Sequence, residues 1–188
     1  MHVVWLDDTD HGGLGDNYDV FFSTSIDNGN SFSKATNLSR IGGVGVSPKI
    51  ATSGSYVYVT WFAGAFPDYE VFLTRSTDNG ATFAHPVNLS SNVGLSSNPQ
   101  IAVSGTNVYV VWQDKTTGNE EIAGRWDAFL RTSADNGATF GNGVNLSNNG
   151  SSNGPQIAVS DSDVYVTWLD SAPGNEGIFF RAGTLTPN

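Results

Sequence analysis

The chain has 188 residues, among them 22 Gly, 5 Trp, 6 Tyr and 11 Phe, and carries a formal net charge of −10. That length supports one domain with a sizeable core, and the aromatic content excludes a disordered chain. The acidic balance argues against nucleic acid and anionic membranes, and no run of about 18 apolar residues offers a membrane span. Bound cations, neutral glycans and proteins are left as partner classes. The absence of Cys rules out disulfides and thiolate metal sites.

Taken in order, strand-like sequence begins almost at once, at His2–Leu6. No leader pattern precedes Val3, so the expectation is a cytosolic protein or a segment of a longer chain. The clearest unit follows. Pro48–Thr52 is a short first strand, Ser53-Gly54 a turn, and Tyr56–Phe62 a second strand, β-branched and aromatic throughout. Both of its faces are apolar, as in sheets packed on both sides. Glu70–Ser76 reads as a third strand and Ala81–Leu89 as an outer fourth, where Pro86 suits an edge. The unit recurs as Pro99–Val103, Asn107–Gln113, Asp127–Ser133 and Ala138–Leu146. A last unit has Pro155–Val159, Asp163–Leu169 and Gly177–Arg181. The first unit lacks its first strand and the last its fourth. No helical periodicity is present.

Three markers set the repeat. A Trp closes an apolar run at Trp5, Trp61, Trp112 and Trp168, and Asn-Leu-Ser begins at Asn37, Asn88 and Asn145. The third marker is an eight-residue box between strands three and four. It runs from Ser25 through Asp27 and Gly29 to Phe32, from Ser76 through Asp78 and Gly80 to Phe83, and from Ser133 through Asp135 and Gly137 to Phe140. Asp-Asn-Gly is a tight-turn signal, with the Asp expected to bond backbone N–H groups two or three residues on and the Phe to anchor the turn. The box aspartates lie 51 and 57 residues apart, a period that fits a propeller blade better than a helical repeat. The predicted fold is all-β: a propeller of four-stranded antiparallel blades, about four of them here, spanning roughly 1–39, 48–90, 99–147 and 155–188.

The boxes resemble the Asp-box, or BNR repeat, of sialidases and related β-propellers, whose pattern is Ser-x-Asp-x-Gly-x-Ser/Thr-Trp/Phe. The resemblance covers essentially the whole chain through the repeat. It implies a sialidase-like propeller and an extracellular or cell-surface setting. It implies little about activity, because the box lies away from the active site in sialidases. Those enzymes use an arginine triad, the first within Arg-Ile-Pro, a Tyr nucleophile backed by Glu, and an acid/base Asp. Here the nearest match is Arg40-Ile41-Gly42, and Arg75, Arg131 and Arg181 follow the repeat. Tyr58, Tyr109 and Tyr165 each stand three residues before a blade Trp. No catalytic residue is therefore assigned. The expected function is a non-catalytic binding or scaffold module for a glycan or protein. The alternatives are a segment of an exo-sialidase-like glycoside hydrolase and a purely structural repeat.

Two further groups are candidate sites. Asp8, Asp10, Asp16 and Asp19 follow a spacing close to a calcium loop, although Gly12 removes one ligand and no helices flank it. Calcium is the one cofactor the spacing suggests. Trp126, in an insertion that breaks the repeat, is a candidate stacking platform for a sugar. Asp19, Glu70 and Asp127 each lie eight residues before a box Asp, which predicts a structural role at the start of strand three. Open blades at both ends predict a homo-oligomer that completes the ring.

Overall fold

The computed structural model describes residues 1–8, 18–39, 44–65, 68–92, 94–115, 126–161, 163–174 and 176–184. These residues form four antiparallel sheets and no helix. The first blade is β1 (His2–Asp7), β2 (Asp19–Thr24) and β3 (Thr36–Asn37). The second is β4 (Val44–Ser53), β5 (Tyr56–Ala65), β6 (Asp68–Ser76) and β7 (Val87–Asn88). The third is β8 (Ser96–Ser104), β9 (Asn107–Asp114), β10 (Asp127–Ser133) and β11 (Val144–Asn145). The fourth is β12 (Ser152–Ser160), β13 (Asp163–Asp170) and β14 (Gly177–Thr184). Strand order follows chain order within every blade, so the chain is a four-bladed, incomplete propeller.

Two strand boundaries differ from expectation for physical reasons. The first strands begin well before their prolines. Pro48, Pro99 and Pro155 sit where the ladder shifts register, between Val46 and Lys49, Ser97 and Gln100, and Asn153 and Gln156. Each is preceded by a residue at positive φ: Ser47, Asn98 or Gly154. A bulge leaves a residue unpaired, so a proline without an N–H is tolerated there, and the strand continues on both sides. The fourth strands are shorter than expected, two residues each. Ala81 to Pro86 is bent by the box, whose last turn closes through the Ala84 N–H to the Arg75 carbonyl at 2.9 Å.

Every joint between blades uses the same two faces. The leading face of a blade presents Val, Val and Trp from its second strand: Val57, Val59 and Trp61, then Val108, Val110 and Trp112, then Val164, Val166 and Trp168. A Phe on the neighbouring third strand stacks on that Trp, at centroid distances of 5.9 to 6.2 Å in all four blades. The trailing face of the preceding blade receives it. That face is Val20, Phe22 and Leu38 in the first blade, Tyr58, Val71, Leu73 and Leu89 in the second, and Tyr109, Ala128 and Leu146 in the third.

Burial of both faces is the main source of stability in such a sheet stack. Trp61 is fully buried at the first joint. Trp61→Ala is therefore expected to cost about 3–5 kcal/mol in urea denaturation. A loss below about 1 kcal/mol would show that the joint is not core.

Candidate functional site

The box is a closed hydrogen-bond circuit built from the end of the third strand. In the second blade the Ser76 hydroxyl donates to Asp78 Oδ1 at 2.7 Å and accepts the Gly80 N–H at 2.8 Å. Asp78 in turn accepts the Thr82 N–H at 2.9 Å and the Thr82 hydroxyl at 2.6 Å. The first and third blades repeat this with Ser25, Asp27, Gly29 and Ser31, and with Ser133, Asp135, Gly137 and Thr139. The aspartate reaches four residues on, one or two further than expected. The cause is two successive left-handed residues: Asn28, Asn79 and Asn136 at φ 58° and the glycines after them at 70–91°. They add a residue to the loop without strain only because Asn and Gly tolerate that region.

The box also reaches the preceding blade. A Cβ on Gly80 would lie 2.5 Å from the Phe22 ring, and one on Gly137 would lie 3.1 Å from the Tyr58 ring. Phe83 meets Phe22 edge to face at 4.8 Å, and Phe140 joins the core of the second joint. Phe32, in the first blade, is 44% exposed.

At the opposite end of the first three blades a second circuit uses the recurrent acids. The Ser39, Ser90 and Ser147 hydroxyls accept the Val20, Val71 and Ala128 N–H groups at the start of strand three. Those hydroxyls donate to Asp19, Glu70 and Asp127. The acids thus act on the strand-three N–H through a serine, a structural role at the start of that strand. Asn37, Asn88 and Asn145 close the turn by accepting the Ser39, Ser90 and Ser147 N–H groups. This explains the Asn-Leu-Ser repeat as a strand end.

Two residues missed by sequence reasoning lock this circuit to the next blade. Asn92 donates its N–H to Glu70 and its side-chain amide to Asp114, at 3.3 and 2.7 Å. Asn149 likewise joins Asp127, at 2.9 Å, to Asp170. Asp114 also accepts the Trp112 indole N–H at 2.8 Å. A signal was available, since Asp7, Asp114 and Asp170 each stand two residues after a blade Trp.

The protonation states follow these contacts. The carboxyls of Asp27 and Asp78 are held down to about 2, first by the Ser31 or Thr82 hydroxyl and then by the N–H of the same residue. Asp135 is lower still for the same reasons. Burial pushes Asp127 up, but the Gly150 N–H, Asn145, the Asn149 N–H and Ser147 outweigh it and hold it below its usual value. Glu70 lies above its usual value because burial outweighs its bonds to Ser90 and Asn92.

Of the candidate calcium ligands, Asp10 and Asp16 lie outside the described residues. Asp8 is half-buried beyond β1. Asp19 is buried and engaged by Asn37 and Ser39. Among the described residues no three His, Asp or Glu groups are placed to hold a metal ion. Trp126 is half-buried, and Lys115 Nζ sits over its ring 4.8 Å from the centroid. Its backbone pairs with Gly150 and Ser152 across the seam to the fourth blade. Arg40 and Arg125 lie outside the described residues. Arg75 donates to the Asn136 carbonyl at 2.9 Å and so ties the second blade to the box of the third. Arg131 is on β10 and Arg181 on β14, separate blades.

One groove of about 370 Å³ opens between the first two blades. Thr36, Asn37 and Leu38 line one side, and Thr74, Phe83, Ala84, His85 and Pro86 the other. Its walls are the short fourth strand of the first blade and the descending limb of the second blade's box.

A carboxylate with a lowered folded-state value contributes stability that is full above its unfolded value near 4 and is lost as pH falls through the folded one. With two box aspartates near 2, the melting temperature is expected to fall steeply between pH 4 and pH 2. A flat profile over that range would contradict the box geometry. Asp127, 3% exposed, accepts two side-chain and two backbone donors. Asp127→Ala leaves them unpaired and is expected to cost on the order of 3 kcal/mol in chemical denaturation, against under about 0.5 for Glu176→Ala at an exposed position ahead of β14.

No protein-family model matches the chain, and no curated protein matches it. Solved structures do resemble it. The NanB sialidase from Streptococcus pneumoniae aligns with a TM-score of 0.56 and 15% identity over 90% of this chain and 26% of that one. The Trypanosoma rangeli sialidase, solved with the inhibitor DANA, gives 0.56 and 15% over 84% and 30%. An α-L-arabinanase from Penicillium chrysogenum, complexed with arabinobiose, gives 0.52 and 12% over 88% and 54%. The chain spans about a quarter to a half of these enzymes. At such identities the likeness is one of fold, and that fold is the sialidase-like β-propeller.

Proposed function

We propose that the chain is a non-catalytic binding module of the sialidase-like propeller type, with the groove between its first two blades as the ligand site. The groove carries this reading. It is concave, of the size of small-ligand sites, and combines the apolar side chains of Phe83 and Pro86 with the exposed polar side chains of Thr36 and His85. That mixture suits a neutral sugar, which offers an apolar ring face and hydroxyl edges, or a short extended peptide. A net charge of −10 disfavours anionic ligands. The arginines described are separate: Arg75 serves a joint, and Arg131 and Arg181 stand on different blades.

A second reading has support in the neighbours themselves, which are glycoside hydrolases two to four times as long as the aligned region. In that reading the chain is part of a hydrolase whose substrate-binding arginines lie elsewhere.

Titration of the chain with a panel of neutral oligosaccharides and with sialyllactose, followed by amide NMR, separates the readings. Shifts centred on Thr36 and His85 with a neutral sugar are expected. His85 is exposed, so His85→Ala is expected to weaken binding about tenfold, roughly 1.4 kcal/mol, at an unchanged melting temperature. No shift at millimolar sugar would sink the groove as a sugar site. Turnover of a fluorogenic sialoside would replace this reading with the second.

A further inference from the structure

The repeat states what each blade face requires, and two faces of this chain lack it. Val20, Val71 and Ala128 occupy one register position on the trailing faces of the first three blades and are all fully buried. Ile178 holds that position in the fourth blade and is 81% exposed. Two residues on, Phe22 and Leu73 are buried, whereas Phe180 is 59% exposed. Leu169 beside them is 53% exposed, and Tyr165 stacks on Phe180 at 6.0 Å. The trailing face of the fourth blade is therefore an apolar surface like those that receive a blade elsewhere, without, among the described residues, the fourth-strand leucine (Leu38, Leu89 or Leu146) that completes them.

The complementary surface is on the first blade. Val3 and Trp5 stand where Val59 and Trp61 stand in the second, and Trp5 stacks on Phe21 at 5.9 Å as the other blade tryptophans stack on theirs. Trp61, Trp112 and Trp168 are buried, but Trp5 is only half-buried. Phe32 completes this face at the position of Phe83 and Phe140. Gly29 stands at the box position of Gly80, with the Met1 side chain 3.5 Å from where a Cβ would lie, and Phe180 holds the position of Phe22.

We propose that these two faces meet in a second copy of this chain: the fourth blade of each copy docks on the first blade of the other. The extensive packing between blades runs between consecutive ones among the described residues, and Ile178, Phe180 and Phe32 stay exposed, so the first and fourth faces do not cover each other. Docked as the internal joints dock, two copies form a closed head-to-tail pair of eight blades about a two-fold axis, within the usual blade range for the fold. The inference is independent of the groove, whose lining includes none of these residues. Because each copy carries −10, screening by salt is expected to tighten the pair, the reverse of an ionic interface.

Size-exclusion chromatography with light scattering tests this on the chain as it stands. Wild type is expected to run at twice the mass of one chain and to stay there as concentration rises. Phe180→Glu and Phe32→Glu alter exposed side chains, so each is expected to keep the wild-type circular dichroism and weaken association at least about tenfold. An equimolar mixture of the two variants restores one intact joint and is expected to regain dimer that neither forms alone. A folded wild-type monomer at about 100 μM would overturn the proposal, as would mass that grows past two copies. Variants that pair like wild type, or a mixture that stays monomeric, would also overturn it.

Discussion

Each blade of this chain is apolar on both faces, and that one constraint arranges the rest. A sheet with a single apolar face can stop at one partner. A sheet with two must be sandwiched, and its partner then has the same need on its far side. The faces are not interchangeable. A Val-Val-Trp surface always meets a Tyr- or Leu-bearing one, as Trp61 does across the first joint and Trp112 across the second. The asymmetry gives the stack a direction, and the short outer strands and bulged inner ones fit the blades about it. A stack of this kind is nearly one-dimensional, with each blade stabilised by its immediate neighbours.

The polar residues serve the two ends of that stack. At one end the boxes tie a turn to its own strand and press a bare glycine against the preceding blade. At the other, serine, asparagine and a carboxylate join the end of strand four to the start of strand three. Asn92 and Asn149 extend that link into the following blade. Eight of the 18 acidic residues are spent in these circuits: Asp19, Asp27, Glu70, Asp78, Asp114, Asp127, Asp135 and Asp170. Asp19, Asp114, Asp127 and Asp170 among them are buried, so part of the acidity that composition presents as surface charge lies inside the fold. That shifts the weight of any ligand argument from charge to shape.

The fold was legible because its signals are local and repeated. Trp at the end of an apolar run, Asp-Asn-Gly between strands, and a fixed interval between them carry the blade and its strand order. Strand ends were less legible. A proline reads as a strand start, yet Pro48 lies inside a bulge that only the pairing of β4 with β5 reveals. The fourth strands read as nine residues because Ala81 to Leu89 has strand composition, whereas the box consumes its first six. The groove was not legible at all, since Thr36 and His85 come from different blades and share no motif. Trp126 was visible as an off-repeat aromatic, but the lysine over its ring comes from the far side of an insertion.

The box geometry also bears on how the molecule ages. Asn28-Gly29, Asn79-Gly80 and Asn136-Gly137 are the dipeptide most prone to deamidation, in which the glycine nitrogen attacks the asparagine side-chain carbonyl to give a succinimide. In every box that nitrogen is already committed, donating its hydrogen to a buried serine hydroxyl at 2.8 or 2.9 Å. The asparagine backbone is held left-handed at the same time. Cyclisation therefore waits for the box to open, although the asparagines themselves lie near solvent. Isoaspartate at the three sites then serves as a slow chemical clock of local unfolding, with one hand for each blade that has a box.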